Sequence, residues 1–234
     1  MTSPRRPGKN RQRSGSILVF ALAILLGLFA LARRIWVSAR AGGVPNAWDI
    51  PVLDWTTVHR SEPATFLAWF FTIVGDTLGM AIVALCVIGL FSWRTRSLWP
   101  GALIAVTAAG SVVLTVVLKH TLGRARPPLD DALFPVPESY SFPSGHSLNS
   151  IAILGIIGYL SVLILRSRLA RILVLCTLGC FVAGVGWSRI YLGHHWLTDV
   201  MGGLLIGGSW VVVVIVLHHF VLLRNQRTVR WLQL

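Results

Sequence analysis

Long apolar stretches, separated by short basic or polar segments, dominate the pattern of this chain. Each stretch is close to the ~20 residues that an α-helix needs to cross the hydrocarbon of a bilayer. There are six such stretches, at residues 16–32, 66–93, 98–118, 147–165, 169–185 and 198–223. The pattern therefore predicts an all-α integral membrane protein, in which six transmembrane helices form one bundle over residues 16–223.

The composition agrees with a membrane protein, since 55% of the 234 residues are hydrophobic, only 12% are charged and the mean hydropathy is +0.72. Residues 1–15 are basic and rich in Pro, Gly and Ser, which predicts a disordered tail, and residues 224–234 form a second short basic tail. The first apolar stretch could also be a cleaved signal peptide. We favour an uncleaved helix, because the stretch exceeds the ~7–15 residues of a signal core and Arg33 follows it closely.

The net charge of +13 is distributed unevenly between alternate loops. Thirteen basic residues and no acidic residue lie on one side of the predicted membrane, in both tails and in the turns near 94–96 and 166–171. The positive-inside rule places that side, with both termini, in the cytoplasm. The positive charge is therefore an orientation signal, which contact with anionic membrane lipids would reinforce, and we expect no binding of nucleic acid.

Two segments on the other side lack a sustained helical period. Residues 33–62 mix tryptophan, proline and charge, which is typical of a loop or short helix at the headgroup level; a lid over a site is the alternative. Residues 119–143 contain five prolines and form the predicted loop between the third and fourth spans. The polar patterns described next all fall at this extracytoplasmic end.

The most informative polar pair is His195 and Asp199, which are four residues apart at the start of the last span. On a helix this spacing places both side chains on one face. A carboxylate that accepts a hydrogen bond from one imidazole nitrogen leaves the other nitrogen as a nucleophile, and it stabilises the cation that forms on attack. Taken alone, the pair is more often a helix cap or a headgroup contact.

Cations and a helix start near this pair suggest an anionic ligand. Lys119, Arg126 and Arg189 are expected to converge on one phosphate, for which arginine offers a planar fork and lysine a point charge. The segment Pro143-Ser144-Gly145-His146 begins an apolar run, where helix amides and the Ser144 hydroxyl can hold phosphoryl oxygens. His146 is then placed to donate a proton to the leaving oxygen and to activate water afterwards.

The three patterns Lys-x6-Arg-Pro, Pro-Ser-Gly-His and Ser-Arg-x5-His-x3-Asp resemble the signature of the type 2 phosphatidic acid phosphatase family, and all eleven positions match. The resemblance implies a six-helix bundle and a metal-independent phosphohistidine mechanism with no cofactor. It implies that His195 is the nucleophile, Asp199 its partner and His146 the general acid. The phosphate-binding residues it implies are Lys119, Arg126, Ser144, Gly145 and Arg189.

The resemblance makes a lipid phosphate in the cell membrane the expected substrate, with undecaprenyl diphosphate first and phosphatidylglycerol phosphate or phosphatidic acid as alternatives. Two other functions stay open: a transporter that holds an anionic lipid with the same cations, and a phosphotransferase that passes the phosphoryl group to another acceptor. Asp76, inside the second apolar stretch, is one further candidate for the site. The sequence leaves the oligomeric state open.

Overall fold

The computed structural model describes residues 47–224 and the isolated positions 27, 30, 33–35 and 37, with side chains described up to residue 220. The predicted first span and both predicted tails therefore lie outside the described residues, apart from these isolated positions. Seven α-helices follow one another in the described part: α1 (Asp49–Val58), α2 (Glu62–Gly75), α3 (Thr77–Thr95), α4 (Trp99–Leu122), α5 (Gly145–Ile164), α6 (Arg168–Tyr191) and α7 (Leu197–Arg224). The predicted all-α class is confirmed.

Five of these helices, α3 to α7, are long and apolar enough to cross a membrane within the described part of the chain. They correspond to the second through sixth predicted stretches. The prediction for the second apolar stretch was wrong in one respect, because residues 66–93 do not form one helix. α2 ends at Gly75, Asp76 has an extended backbone with ψ of 167°, and α3 begins at Thr77. Hydropathy does not detect this break, because the residues on both sides are apolar.

The helix ends follow from local sequence signals. Ser144 and Ser167 precede α5 and α6, and each side chain accepts a hydrogen bond from a backbone amide three residues later. Proline in the first turn begins α2 and α4. α4 ends at Gly123, whose left-handed φ of 61° suits glycine.

α5 lies at the centre of the bundle. Two thirds of its most apolar 18-residue window is buried, whereas the corresponding share in the other four long helices is between 11% and 33%. Its buried residues Ile153, Ile156 and Leu160 pack in the main apolar cluster with Met80 of α3 and Ile104 of α4. This central helix is therefore held in place by several neighbouring helices.

Glycines on α7 allow it to lie directly against α5. A Cβ at Gly203 would come within 2.6 Å of the Ser144 carbonyl oxygen, and one at Gly207 within 2.5 Å of the Leu148 carbonyl oxygen. Small residues commonly permit such close approach between membrane helices. Because α7 carries Asp199 near its start, this contact brings Asp199 next to the start of α5, where the Ser144 amide donates to the Asp199 carbonyl oxygen at 3.1 Å.

The loop between α4 and α5 folds over the same end of the bundle and contains one short 3-10 helix, Leu129–Asp131. Its backbone is joined to the α6–α7 turn by the hydrogen bond from the Leu133 amide to the Leu192 carbonyl at 2.9 Å. Arg60, between α1 and α2, donates to the carbonyl oxygens of Asp131 and Tyr191 and so connects both segments. The segments that carry the polar patterns are thus fixed against one another.

Replacing Gly207 with alanine is expected to destabilise the fold, whereas the same change at Gly208 is not. Both positions lie in α7, so both variants gain similar helix propensity. A Cβ at position 207 meets the backbone of α5, while one at position 208 has nothing within 4 Å. Overpacking of this kind costs about 1–3 kcal/mol. Thermal unfolding in detergent should therefore show a lower midpoint for Gly207→Ala alone, and equal midpoints for the two variants would contradict the packing described.

Candidate active site

A cavity of about 210 Å³ opens where α4 ends and α5 begins. Six of the eight residues that the sequence predicts for the site line it, and they come from four separate segments of the chain. These residues are Lys119, Arg126, Gly145, His146, Arg189 and His195. The other two, Ser144 and Asp199, are fully buried and lie behind the wall of the cavity.

The four-residue spacing of His195 and Asp199 suggested that both lie on one helix. The structure places His195 in the turn before α7, and only Asp199 lies on the helix. Its ring is 1% exposed, and its two nitrogens face different partners. Nδ1 lies 3.4 Å from Asp199 Oδ2, while Nε2 lies 3.3 Å from Arg126 Nη1. Because a guanidinium only donates hydrogen bonds, Nε2 presents its lone pair and Nδ1 carries the proton. This tautomer leaves Nε2 as the nucleophilic atom.

The electrostatic setting of His195 favours the neutral ring. Burial, followed by the positive charges of Arg126 and Arg189, holds the pKa of His195 well below its ordinary value of 6.5. A neutral imidazole retains the lone pair that a nucleophile needs. The same cations that suit a phosphate ligand therefore also keep the ring unprotonated.

Asp199 is held by several donors besides its contact with His195. Oδ2 accepts hydrogen bonds from the Ser141 hydroxyl and from the Trp196 amide, the latter at 3.0 Å. The amide contact resembles a capping box, in which an acidic side chain in the first turn reaches back to the residue before the helix. The carboxylate is thereby fixed in position before any charge develops on His195.

Arg124, which the sequence patterns did not single out, joins this carboxylate to a second one. Its Nη1 lies 2.5 Å from Asp199 Oδ1 and its Nη2 lies 2.8 Å from Asp49 Oδ2, and all three side chains are almost fully buried. Asp49 also accepts hydrogen bonds from the amide and hydroxyl of Thr198, at 2.9 and 2.8 Å. The start of α1 is thus connected through Arg124 to Asp199, which faces His195.

This network also changes the interpretation of residues 33–62. The sequence predicted a loop or short helix at the headgroup level, and a short helix, α1, is present with Trp48 and Trp55 exposed. Asp49, however, is buried and supports the site. Its charge and its position at the start of a weakly amphipathic helix gave no signal of that role, since the residues it contacts are 75 and 149 positions away.

Two of the predicted cations are held by the loop before α5. Arg126 Nε donates to the Ser139 carbonyl at 2.7 Å, and its Nη1 donates to the His194 carbonyl at 2.5 Å. Lys119 Nζ donates to the Tyr140 carbonyl and, at 3.2 Å, to the Ser139 hydroxyl. Both cations therefore reach the cavity from α4 and the following loop, as the spacing predicted.

Arg189 reaches the cavity from the last turn of α6. It is only 2% exposed, and its Nη1 donates to the Thr72 hydroxyl of α2. Among the described residues its Nε and Nη2 have no hydrogen-bond partner. Buried polar groups in proteins almost always have partners, so a guanidinium with open donors beside a cavity is well suited to an anion.

The start of α5 provides a positive helix end at the cavity. Gly145, its first residue, allows α4 to approach, since a Cβ there would come within 3.0 Å of Thr115 Cγ2. The Ser144 hydroxyl caps the helix through the amide and hydroxyl of Ser147, at 3.5 and 3.1 Å. Its predicted contact with phosphate stays a prediction, whereas the helix amides and their partial positive charge lie at the cavity as expected.

His146 follows in the first turn of α5 and lines the same cavity as His195. Its Nε2 lies 3.5 Å from Oδ1 of Asp76, the residue at which the second apolar stretch is broken. A second cavity of about 410 Å³ shares Asp76, Pro137, His146 and Arg189 with the first and is otherwise lined mainly by apolar residues of α2 and α3. His146 therefore lies at the junction between a cationic cavity and an apolar one.

A third cavity, of about 380 Å³, lies between α3, α4 and α5 and is almost wholly apolar. It shares Thr77 and Asn149 with the cationic cavity. Cationic and apolar spaces that adjoin in this way suit a ligand with an anionic head and a hydrocarbon tail.

The described residues contain no group of three or more His, Cys, Asp or Glu side chains arranged to hold a metal ion. The ionisable side chains that line the cavity are instead two imidazoles, the carboxylate of Asp76 and three cations, and the carboxylate of Asp199 lies behind the wall. Such a set can bind a phosphoryl group, attack it and transfer protons. The sequence identified this set, and it missed Arg124, Asp49 and Ser141, which lie behind the cavity wall.

Comparison with known proteins agrees with the geometry. Residues 100–222 match the PAP2 superfamily. The chain is similar to phosphatidylglycerophosphatase B of Bacillus subtilis, with 36% identity over 52% of this chain and 59% of that protein. It is also similar to an undecaprenyl-diphosphatase of Sulfolobus acidocaldarius, with 31% identity over 50% and 53%, and to a lipid A 1-phosphatase of Rhizobium etli, with 32% identity over 51% of each. The chain thus spans between half and three fifths of the curated relatives it matches.

Two solved structures share the fold. One is a transmembrane PAP2-type phosphatidylglycerolphosphate phosphatase from Bacillus subtilis, with a TM-score of 0.77, 24% identity, and coverage of 84% of this chain and 96% of that one. The other is Aquifex aeolicus LpxE, with a TM-score of 0.58, 22% identity, and coverage of 72% and 95%. Because the family match extends over more than half of the chain and includes all the polar patterns of the cavity, the protein belongs to the PAP2 superfamily.

Proposed function

We propose that this protein is a membrane lipid phosphatase that hydrolyses a lipid phosphate or diphosphate through a phosphohistidine at His195. The observation that carries the proposal is the cavity in which the lone pair of His195 Nε2, the ring of His146 and three cations meet. The names of the relatives support the class of reaction, since each is a phosphatase of a lipid. The adjoining apolar cavities support a lipid as the substrate.

In the first step His195 Nε2 attacks the terminal phosphorus atom and the bond from that phosphorus to the leaving oxygen breaks. The leaving oxygen is the ester oxygen of a lipid monophosphate or the bridging oxygen of a lipid diphosphate. Lys119, Arg126 and Arg189, with the amides at the start of α5, stabilise the charge on the phosphoryl oxygens. His146 gives its proton to the departing oxygen. The positive charge that forms on His195 is stabilised by Asp199, which faces Nδ1.

In the second step water attacks the phosphorus atom of the phosphohistidine. His146, now neutral, takes a proton from that water, and the nitrogen–phosphorus bond breaks to release phosphate. His195 recovers its lone pair and His146 recovers its proton, so the cycle closes. The charge stabilisation comes from the protein's own cations, and the proposed mechanism needs no metal or cofactor.

Undecaprenyl diphosphate is the substrate we propose first, with conversion to undecaprenyl phosphate at the extracytoplasmic face of the cell membrane. The distribution of basic residues supports this orientation, with both termini in the cytoplasm. Phosphatidylglycerol phosphate is the second candidate, because it is the substrate named for the relative with 36% identity. Phosphatidic acid is the third. The buried contact between His195 and Asp199 favours hydrolysis over lipid transport, because holding a cargo requires no oriented nucleophile.

The proposal predicts that the purified protein in detergent releases phosphate from at least one of these three lipids. Release should persist in excess EDTA and stop with vanadate, and His195→Ala should lose at least about a thousandfold in kcat because the covalent step is removed. His59→Ala serves as the control, because it alters an exposed histidine that is far from His195 in the sequence. Full turnover by His195→Ala would contradict the mechanism.

Loss of the buried arginine bridge is expected to reduce both stability and turnover. Arg124→Gln leaves two buried carboxylates without their shared cation, and breaking such a pair typically costs about 3–5 kcal/mol. Asp49→Asn keeps a polar side chain of similar shape but removes its negative charge. This variant should fold while kcat falls, because Arg124 loses one of its two ion pairs. Arg94→Gln, at an exposed arginine of α3, is the control. The measurements are unfolding midpoint and kcat, and wild-type values for Asp49→Asn would show that the bridge has no role in the site.

On the acidic side of the pH profile, activity is expected to fall when His195 becomes protonated. Because the pKa of His195 is held well below 6.5, this fall, the acidic limb of the profile, should lie below pH 6.5. Arg126→Gln removes a cation that lowers the pKa of His195, so the pKa rises and the limb moves to higher pH. The test is kcat/KM against pH for both proteins on the same substrate, so that ionisation of the substrate cancels. A limb that stays in place or moves to lower pH in the variant would contradict the assignment of this limb to His195.

A further inference from the structure

Asp76 occupies an unusual position for a carboxylate in an apolar stretch. It is the residue between α2 and α3, with φ of −70° and ψ of 167°, where an aspartate normally caps the following helix. Its side chain makes no such cap hydrogen bond. Instead Oδ1 lies 3.5 Å from His146 Nε2, at the junction of the cationic cavity and its larger apolar neighbour.

The backbone around Asp76 is fixed by close packing on both sides. A Cβ at Gly75 would come within 2.8 Å of the Val185 methyl groups, so the end of α2 lies directly on α6. A Cβ at Gly79 would come within 2.4 Å of the Val74 carbonyl oxygen, so the first turn of α3 lies close to the last turn of α2. These contacts hold the break, and with it the carboxylate, at the level of His146.

The charges around His146 explain why a carboxylate is useful there. To act as an acid, the ring must first carry a proton, and Lys119 and Arg189 line the same cavity. Positive charges that share a cavity with the ring make an additional positive charge on it unfavourable. Asp76 is the one carboxylate that lines this cavity in the described part of the chain. It is adjacent to the ring of His146, whose positive charge needs a negative partner.

We propose that Asp76 is a positioning residue for His146: its carboxylate holds the imidazole at the junction of the two cavities and stabilises the protonated ring that acts on the leaving group. This inference rests on the proposed function. The proton passes from His146 to the oxygen that leaves with the lipid, and Asp76 neither gives nor takes a proton in this step. In the second step the proton taken from water returns to His146, where the same carboxylate stabilises it.

The test compares two substrates that differ in their need for an acid. The lipid phosphate is a monoester, phosphatidylglycerol phosphate or phosphatidic acid, which releases an alkoxide that must be protonated, whereas 4-nitrophenyl phosphate releases a stable phenolate that needs no proton. Undecaprenyl diphosphate is left out of this comparison, because its leaving group is itself a phosphate. General acids contribute about 10²–10⁴-fold to rate. Asp76→Asn should therefore reduce kcat/KM at least about tenfold for the lipid phosphate and less than about threefold for 4-nitrophenyl phosphate.

Two variants complete the comparison. Asp76→Glu keeps the charge and should restore part of the lost kcat/KM, which also provides a second protein if Asp76→Asn is poorly folded. Asp54→Asn changes an exposed carboxylate of α1 and should match the wild type on both substrates. In a His146→Ala background, Asp76→Asn should cause no further loss on the lipid phosphate, because both changes remove the same function.

Three results would overturn the proposal. Equal losses of kcat/KM on the two substrates, together with altered inhibition by inorganic phosphate, would show that Asp76 tunes phosphate binding through Arg189. Unchanged kcat/KM in Asp76→Asn would show that the carboxylate has no role, and an additive loss in the His146→Ala background would show that it acts elsewhere. If the wild type hydrolyses a lipid phosphate and one of these three results is found, the positioning role fails while the proposed function stands. If the wild type hydrolyses none of the three candidate lipids, the proposed function itself is contradicted.

Discussion

The buried ion pairs of Arg124 with Asp199 and Asp49 are the interaction on which the rest of the site depends. An ionised group away from water is stable only when it is paired and hydrogen-bonded, so each of the three side chains requires the other two to remain in place. Because Asp199 faces His195 Nδ1, the network determines which nitrogen of His195 faces Arg126 at the cavity. It also joins α1, the loop after α4 and the start of α7 into one support.

Around this support, the bundle places helix ends and not helix middles at the cavity. The last turn of α4 supplies Lys119, the last turn of α6 supplies Arg189, and the first turn of α5 supplies its amides and His146. The close contact of Gly203 and Gly207 with α5 fixes the depth at which Asp199 meets this end. The polar groups of the site therefore collect at one end of the bundle.

The sequence predicted the helical class, because hydropathy is a local property. Its motifs named eight site residues, of which six line the cavity and two, Ser144 and Asp199, lie behind its wall, while their roles in catalysis stay predictions. It did not predict the break at Asp76, since the apolar residues on both sides hide a single extended residue. It also did not predict the bridge from Asp49 to Arg124, because no local pattern relates residues 75 positions apart. Such long-range pairs depend on how the helices pack, which spacing along the chain does not determine.

The central claim is that the phosphoryl group of the substrate becomes bonded to Nε2 of His195. The most direct measurement is a base quench of the His146→Ala protein after reaction with 4-nitrophenyl phosphate, followed by peptide mass spectrometry. This variant can form the intermediate without an acid but lacks the base that activates water, so the intermediate should accumulate. The account predicts an acid-labile phosphoryl group on His195. A phosphoryl group on another residue, or its absence while nitrophenol is released in a single-turnover burst, would contradict it.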